Sequence, residues 1–296
     1  RGHSMNANPD DPGFALSDEQ QRVRACVLEG KSCFLTGCGG TGKSYVTTQL
    51  IRDLKAKYGS SQVAITATTG IAACHIGGVT LHSFAGIGLG QDPPYVLIGR
   101  VRRNKPARDR WILTQCLIVD EISMLDATLF EKLDIVARSI RHDERPFGGL
   151  QLLLVGDFAQ LPPVSREYNG AAFCFESPIW SKAIQLQVEL RKVFRQSDEE
   201  FVSLLSSVRL GSCTPEITAK LEATRDNVVD EEGDLGSVNR VLATQMYPLN
   251  ADVDAVNAKR LAELPGVPTF FHARDEGEHN HLEALRKGCL APAELA

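Results

Sequence analysis

Gly37-Cys38-Gly39-Gly40-Thr41-Gly42-Lys43-Ser44 has the spacing G-x-x-x-x-G-K-S, which suits the cradling of phosphate. Glycines let the backbone wrap tightly and turn its N–H groups toward phosphate oxygens. Lys43 can then reach the β- and γ-phosphates of a nucleoside triphosphate, and the Ser44 hydroxyl can hold Mg²⁺. Asp120-Glu121 ends the apolar run Cys116-Leu117-Ile118-Val119. An aspartate at a strand end completes the Mg²⁺ shell beside such a loop. The adjacent glutamate can take a proton from an attacking water, which favours hydrolysis over transfer to a second substrate. A P-loop kinase of small molecules is therefore the weaker reading.

Two further strings allow more than one role. In Gly156-Asp157-Phe158-Ala159-Gln160-Leu161-Pro162-Pro163, Gln160 could sense a γ-phosphate or orient water. A glutamine in a proline-stiffened turn is also an ordinary structural residue. Arg195, in Phe194-Arg195-Gln196, could neutralise charge on a transferring phosphoryl group if carried across a cleft; otherwise it is a surface arginine.

Thr66 to Gly70 and Thr80-Leu81-His82-Ser83-Phe84 offer hydroxyls, backbone N–H groups, an imidazole and one ring. That mix suits a sugar-phosphate chain with a base stacked on a side chain, and equally an ordinary Thr/Gly loop. Between Arg100 and Arg110 lie Arg100, Arg102, Arg103, Lys105, Arg108 and Arg110 against one acid. This run is either a solvated loop or the place where a polyanion docks.

These groups need a scaffold. Cys33-Phe34-Leu35 leads into the glycine loop, and Val46, Leu50 and Leu54 mark a helix leaving it, closed by Gly59. Val63-Ala64-Ile65-Thr66, the run to Asp120 and Leu152-Leu153-Leu154-Val155 are buried strands. Leu125, Leu129, Leu133, Val136 and Ile140 mark a helix face. Ser17, with Gln20 three residues on, caps a helix to Glu29. Strands alternating with helices make an α/β fold with a mostly parallel sheet, whose strand ends gather the site. A second region opens near Leu190. It has a helix from Glu200 to Leu210 closed by Gly211, an acidic loop at 226–234, a strand at 240–244 and a helix capped by Asn250.

At 296 residues, with 43% apolar and 23% charged composition, the chain can bury a sizeable core. A net charge of −5 confines any polyanion to a local patch. Eight scattered cysteines, several in apolar strands (Cys33, Cys116, Cys174), form no CxxC pair. That fits a reduced intracellular compartment better than zinc or disulfides. No apolar run reaches membrane-spanning length.

In combination, Gly37–Ser44, Ala67-Thr68-Thr69-Gly70-Ile71-Ala72-Ala73, Leu81-His82-Ser83-Phe84-Ala85-Gly86-Ile87-Gly88, Val119-Asp120-Glu121-Ile122-Ser123-Met124, Gly156–Pro163 and Val193-Phe194-Arg195-Gln196 closely resemble the PIF family of DNA helicases, its animal branch in particular. The resemblance runs from about Phe14 to the end. It implies a RecA-like P-loop ATPase domain over 16–189, with a small insertion at about 85–112, and an incomplete second RecA-like domain over 190–296. A disordered arm with a tag-like start fills 1–15. Family members continue past this point to complete the second sheet, so the chain is expected to cover the N-terminal part of the motor.

The implied activity is five-prime to three-prime movement on single-stranded DNA, driven by ATP and Mg²⁺, in repair, recombination and telomere maintenance. The alternative is an ATP- and DNA-binding module that does not unwind. By the same resemblance Gln20 contacts adenine, and Gly37, Gly39, Gly40, Thr41, Gly42, Lys43 and Ser44 hold the nucleotide. Ser44 and Asp120 take the metal. Lys43, Glu121, Gln160 and Arg195 serve catalysis, with Gln160 coupling ATP to DNA and Arg195 as arginine finger. Thr68, Thr69, Gly70, His82 and Phe84 line the strand path, and Arg102 and Arg103 fall in the insertion near the point of strand separation. The implied partners are single-stranded DNA, DNA with a five-prime tail and G-quadruplex DNA, bound by a monomer in the nucleus, the mitochondrion or both.

Overall fold

The computed structural model describes residues 16–163, 171–224, 245–266, 269, 271–272, 274 and 294–295. The expected arm at 1–15, acidic loop at 226–234 and strand at 240–244 lie outside these residues. The chain forms two compact units, Arg1–Glu222 and Ala223–Ala296. Its elements begin with α1 (Asp18–Leu28), β1 (Cys33–Gly37), α2 (Lys43–Tyr58), β2 (Val63–Ala67), α3 (Gly70–His75), β3 (Val79–Thr80) and α4 (Leu81–Ala85). They continue with α5 (Pro94–Arg103), α6 (Lys105–Leu113), β4 (Cys116–Asp120), α7 (Ala127–Arg141), β5 (Gln151–Val155), α8 (Trp180–Ala183), β6 (Leu186–Leu190), α9 (Glu199–Arg209) and α10 (Pro215–Ala223). In the second unit follow α11 (Asn250–Ala262) and an antiparallel pair, β7 (Phe271–His272) with β8 (Glu294–Leu295). Leu249 is the N-cap of α11, so Asn250, expected as the cap, is its first helical residue.

Six strands form one parallel sheet in the order β3-β2-β4-β5-β1-β6. Parallel neighbours require crossovers, and the helices supply them on both faces. The period-two alternation of a strand decides which side chain meets which layer. Cys33, Leu35, Cys116, Ile118, Leu153 and Val155 pack with Val23 and Val27 of α1 and Val46, Leu50 and Leu54 of α2. Their sequence neighbours Phe34, Leu117, Val119, Leu152 and Leu154 pack on the other face with Leu97, Val101, Trp111, Leu133 and Val136. Burying one such leucine contributes about 1.5–3 kcal/mol. Burial raises the thiol pKa of both Cys33 and Cys116 to about 12. Cys174, expected in a strand, is buried in a single 3₁₀ turn over Cys174–Glu176 instead.

The basic run forms two short helices, α5 and α6, rather than a loop. Asn104 ends α5 and caps α6, its Oδ1 accepting from the Ala107 N–H at 3.2 Å. Trp111, fully buried, donates from Nε1 to the Ala85 carbonyl at 3.1 Å and so ties α6 to α4.

Candidate active site

The glycine loop, the acidic pair and the Gly156-Asp157 turn leave β1, β4 and β5, adjacent strands of one sheet, at their carboxyl ends. Neighbouring strands lie about 4.8 Å apart, so three sequence-distant strings fall within roughly 10 Å across the sheet. Gly40 and Gly42 take φ of 86° and 84°, a left-handed backbone open to glycine at little cost. Lys43 heads α2, and its Nζ donates to the carbonyls of Gly37 at 2.7 Å and Cys38 at 3.1 Å. Burial lowers the pKa of Lys43, while the carboxylates of Asp157 and Glu121 favour its charged form. Thr41 is buried, and its hydroxyl donates to the Cys38 carbonyl at 2.9 Å.

Burial also raises the pKa of Asp120, opposed by the Glu121 N–H, which donates to Asp120 Oδ1 at 3.0 Å. Glu121 stands at φ 53°, ψ 43°, a left-handed conformation that costs a residue with a side chain about 1–3 kcal/mol. Thr68 holds it there. Its hydroxyl donates to the Glu121 carbonyl at 2.9 Å, and its N–H donates to the Asp120 carbonyl at 3.2 Å. Thr68, expected on the strand path, is thus fastened to the acidic pair. Thr69 caps α3 through Ala72 N–H at 3.2 Å, and Gly70 begins that helix beside open space.

Gln20 arrives beside the glycine loop but turned inward, at 3% exposure. Its Oε1 accepts from Ser17 N–H at 3.1 Å and its Nε2 meets the Thr41 carbonyl at 3.5 Å. The capping-box geometry that starts α1 therefore makes Gln20, expected against a base, a brace of the glycine loop. Phe84, expected on the strand path, also lies inward. It is 3% exposed, and its ring lies 5.1 Å from that of Trp111 between α4 and α6. A ring buried there has no face to offer a base.

His82 stays half-buried and lines a cleft of about 420 Å³ with Thr68, Leu89, Gln91, Asp126 and Lys132. Burial lowers its pKa despite the charge of Asp126, so it is neutral at neutral pH. Within the basic run, Arg100 is spent on the Ile87 carbonyl and Asp92, and Arg110 on the carbonyls of Ser83 and Phe84. Arg102 touches Ser139 Oγ at 3.1 Å, and both Arg102 and Arg103 are exposed.

Beyond β6 the chain folds back over the glycine loop. Phe194 N–H donates to the Gly40 carbonyl at 2.8 Å, and a methyl group on Gly40 would stand 2.8 Å from Arg195 Cβ. Arg195 is therefore beside the loop, its side chain exposed. Gln160, also exposed, donates from Nε2 to Asp157 Oδ2 at 2.9 Å. Sequence reasoning assigned no role to Asp157 or to Arg209, its bidentate partner at 2.6 and 2.8 Å. Only the strand end before Asp157 carried a signal. Nothing near Arg209 in sequence points to a partner on β5.

The sequence model of the PIF1-like helicase family matches residues 15–219. The human ATP-dependent DNA helicase PIF1 is 45% identical over 260 residues, 88% of this chain and 39% of that protein. The chain thus spans about two fifths of that relative's length. The Candida albicans Pif1 helicase structure superposes with TM-score 0.82 at 39% identity, covering 95% of this chain and 63% of that one. The Bacteroides Pif1 helicase in complex with ADP-AlF₃ and single-stranded DNA gives 0.71 at 26% identity, covering 96% and 64%.

Proposed function

The chain belongs to the PIF1-like helicase family, and from that premise we propose that it is the nucleotide-binding part of an ATP-dependent DNA helicase moving five-prime to three-prime on single-stranded DNA. The observation that carries the proposal is the gathering of Lys43, Asp120, Glu121 and Gln160 at one end of the sheet, with the Arg195 backbone against Gly40. ATP binding draws Lys43 Nζ from the carbonyls of Gly37 and Cys38 to phosphate oxygens. Ser44 and Asp120 offer a hydroxyl and a carboxylate, hard oxygen donors that fit Mg²⁺. Bound there, the metal would neutralise charge on the β- and γ-oxygens. Glu121 accepts the proton of the attacking water, Gln160 faces the γ-phosphate, and Arg195 supplies positive charge to the transferring group.

Residues 190–296 begin the second RecA-like domain of this reading, and Thr69, Gly70, His82, Arg102 and Arg103 form its strand path. Its substrates are single-stranded and five-prime-tailed DNA, with G-quadruplexes among structured targets. A monomer would act on them in nuclear or mitochondrial genome maintenance. Among the described residues no helix is long and apolar enough to cross a membrane.

Nucleotide binding tests the site. Lys43→Ala should keep its circular dichroism spectrum and lose ATP affinity, and equal affinity in the folded variant would overturn the site. Strand displacement by the full-length gene product on duplexes tailed at either end tests polarity, and a requirement for a three-prime tail would refute it.

A further inference from the structure

Asp157 lies two residues beyond β5, with its carboxylate 1% exposed and all of its ordinary acceptor positions taken. Arg209 donates from Nε to Oδ2 at 2.8 Å and from Nη2 to Oδ1 at 2.6 Å. Gln160 Nε2 shares Oδ2 at 2.9 Å, and Ala159 N–H shares Oδ1 at 3.1 Å. The two side-chain donors differ in kind. Arg209 is a charged fork whose paired bonds to a buried carboxylate are the strong sort. Gln160 is neutral and exposed, and its side chain is held by one bond, so it is the partner that leaves at least cost. Arg209 also stands on α9, none of whose residues is buried. This ion pair therefore reaches the strand end from a helix that, among the described residues, has no fully buried apolar side chain. Both Asp157 and Arg209 lie close enough to Lys43 to influence its charge.

We propose that Arg209 is a positioning residue for the γ-phosphate: by neutralising Asp157 it leaves Gln160 free to exchange that carboxylate for the terminal phosphate of ATP. The proposal rests on the nucleotide-site reading above. With Arg209 in place, Gln160 gives up one hydrogen bond and the buried carboxylate keeps its counter-charge. Without it, the buried Asp157 carboxylate loses its bidentate counter-ion, and Gln160 is the nearest side-chain donor left to satisfy it. Gln160 is then trapped on Asp157, and the site loses its means of telling ATP from ADP.

The test measures the affinities of a non-hydrolysable ATP analogue and of ADP by competition with a fluorescent nucleotide. Wild-type protein should prefer the analogue. Arg209→Gln should lower that preference about tenfold, the worth of one hydrogen bond to a charged group, with ADP still bound. Arg209→Lys, which keeps the charge without the fork, should fall between them. The deciding variant is Arg209→Gln combined with Asp157→Asn. A neutral acceptor holds Gln160 no more strongly than water does, so the preference should return. If Arg209 merely anchored α9, the double variant would be no better than the single. A double variant that fails to recover, or a single variant with undiminished preference, overturns the proposal. So does a wild type that binds ADP but gains nothing from the third phosphate, an outcome that leaves the nucleotide site standing. Failure of the wild type to bind either nucleotide would refute the nucleotide site itself, and the proposal with it.

Discussion

Phe84→Ala distinguishes a core ring from a stacking platform. The ring is 3% exposed and packs on Trp111, whose indole is fully buried and bonded to the Ala85 carbonyl. The same segment is pinned from outside by Arg110, which donates to the carbonyls of Ser83 at 2.9 Å and Phe84 at 3.0 Å. A site tied on three sides collapses poorly around a lost ring. The cost should then lie near the upper part of the ~3–5 kcal/mol seen for Phe→Ala in cores. For a domain of this size each kcal/mol moves the melting temperature by about 2–4 °C, so a drop of roughly 8–20 °C is expected. Loss of a stacked base would instead cost about 1–3 kcal/mol of single-strand affinity with no change in melting. Thermal unfolding by circular dichroism and anisotropy titration with a fluorescent oligonucleotide, both on folded protein below the transition, separate the two. Phe84→Leu should recover most of the stability. A variant that melts like wild type yet binds single strands tenfold more weakly would refute the core assignment.

Glu121→Gln keeps the side-chain shape but cannot accept a proton; ATP affinity should stay near wild type while phosphate release falls about 10²–10⁴-fold, and a collapse of affinity would instead make Glu121 a structural residue. Asp120 has a raised pKa, so its proton competes with Mg²⁺ above the ordinary aspartate range near about 3.9. The Mg²⁺-dependent part of nucleotide affinity should therefore vanish as pH falls through that raised value, whereas the contribution of Asp120 to folding stability moves the other way, because the fold favours its neutral form. Titration of Mg²⁺-dependent binding against pH in wild type and Asp120→Asn checks this, since the variant should lose that dependence. Neutralising Arg102 and Arg103 should weaken single-strand binding for every sequence and flatten the slope of log affinity against log salt by about 1.4, or about 0.7 for each lost contact; an unchanged slope would remove both from the interface.

What the sequence disclosed follows from the range of the forces involved. The common placement of Lys43, Ser44, Asp120 and Glu121 was legible because each adjoins a buried strand whose apolar run is local, and parallel sheets put strand ends together. The helices α2 and α7 were legible from their period, which the buried Leu50, Leu54, Leu133 and Ile140 bear out. The burial of Phe84 was not legible because α4 is only five residues long, too short for periodicity to separate the face toward Trp111 from the face toward solvent. Gln20 shows a local rule carrying further than expected: the capping box was legible, and its geometry is what turns the amide inward. The pairing of Arg209 with Asp157 joins residues 52 apart along the chain and leaves no local trace.

The register of β1 bears on how the protein comes into being. Cys33 pairs with Leu153 on one side and Leu186 on the other, so within the six-stranded sheet the earliest strand is flanked by the two latest. A ribosome adding about 5–20 residues per second leaves β1 without any neighbour for roughly 6–24 s, until β5 is made, and without its second for roughly 8–30 s. Throughout that interval the glycines between β1 and α2 have no sheet to shape them. We expect, therefore, that the nascent polypeptide does not recruit ATP as a folding aid, and that ligand rescue of a damaged variant acts only after Leu190 has left the exit tunnel. A temperature-sensitive lesion in β5 or β6 should thus expose the growing chain to chaperones and proteases for longer than an equal lesion in β2, which finds its partner β4 much earlier in synthesis.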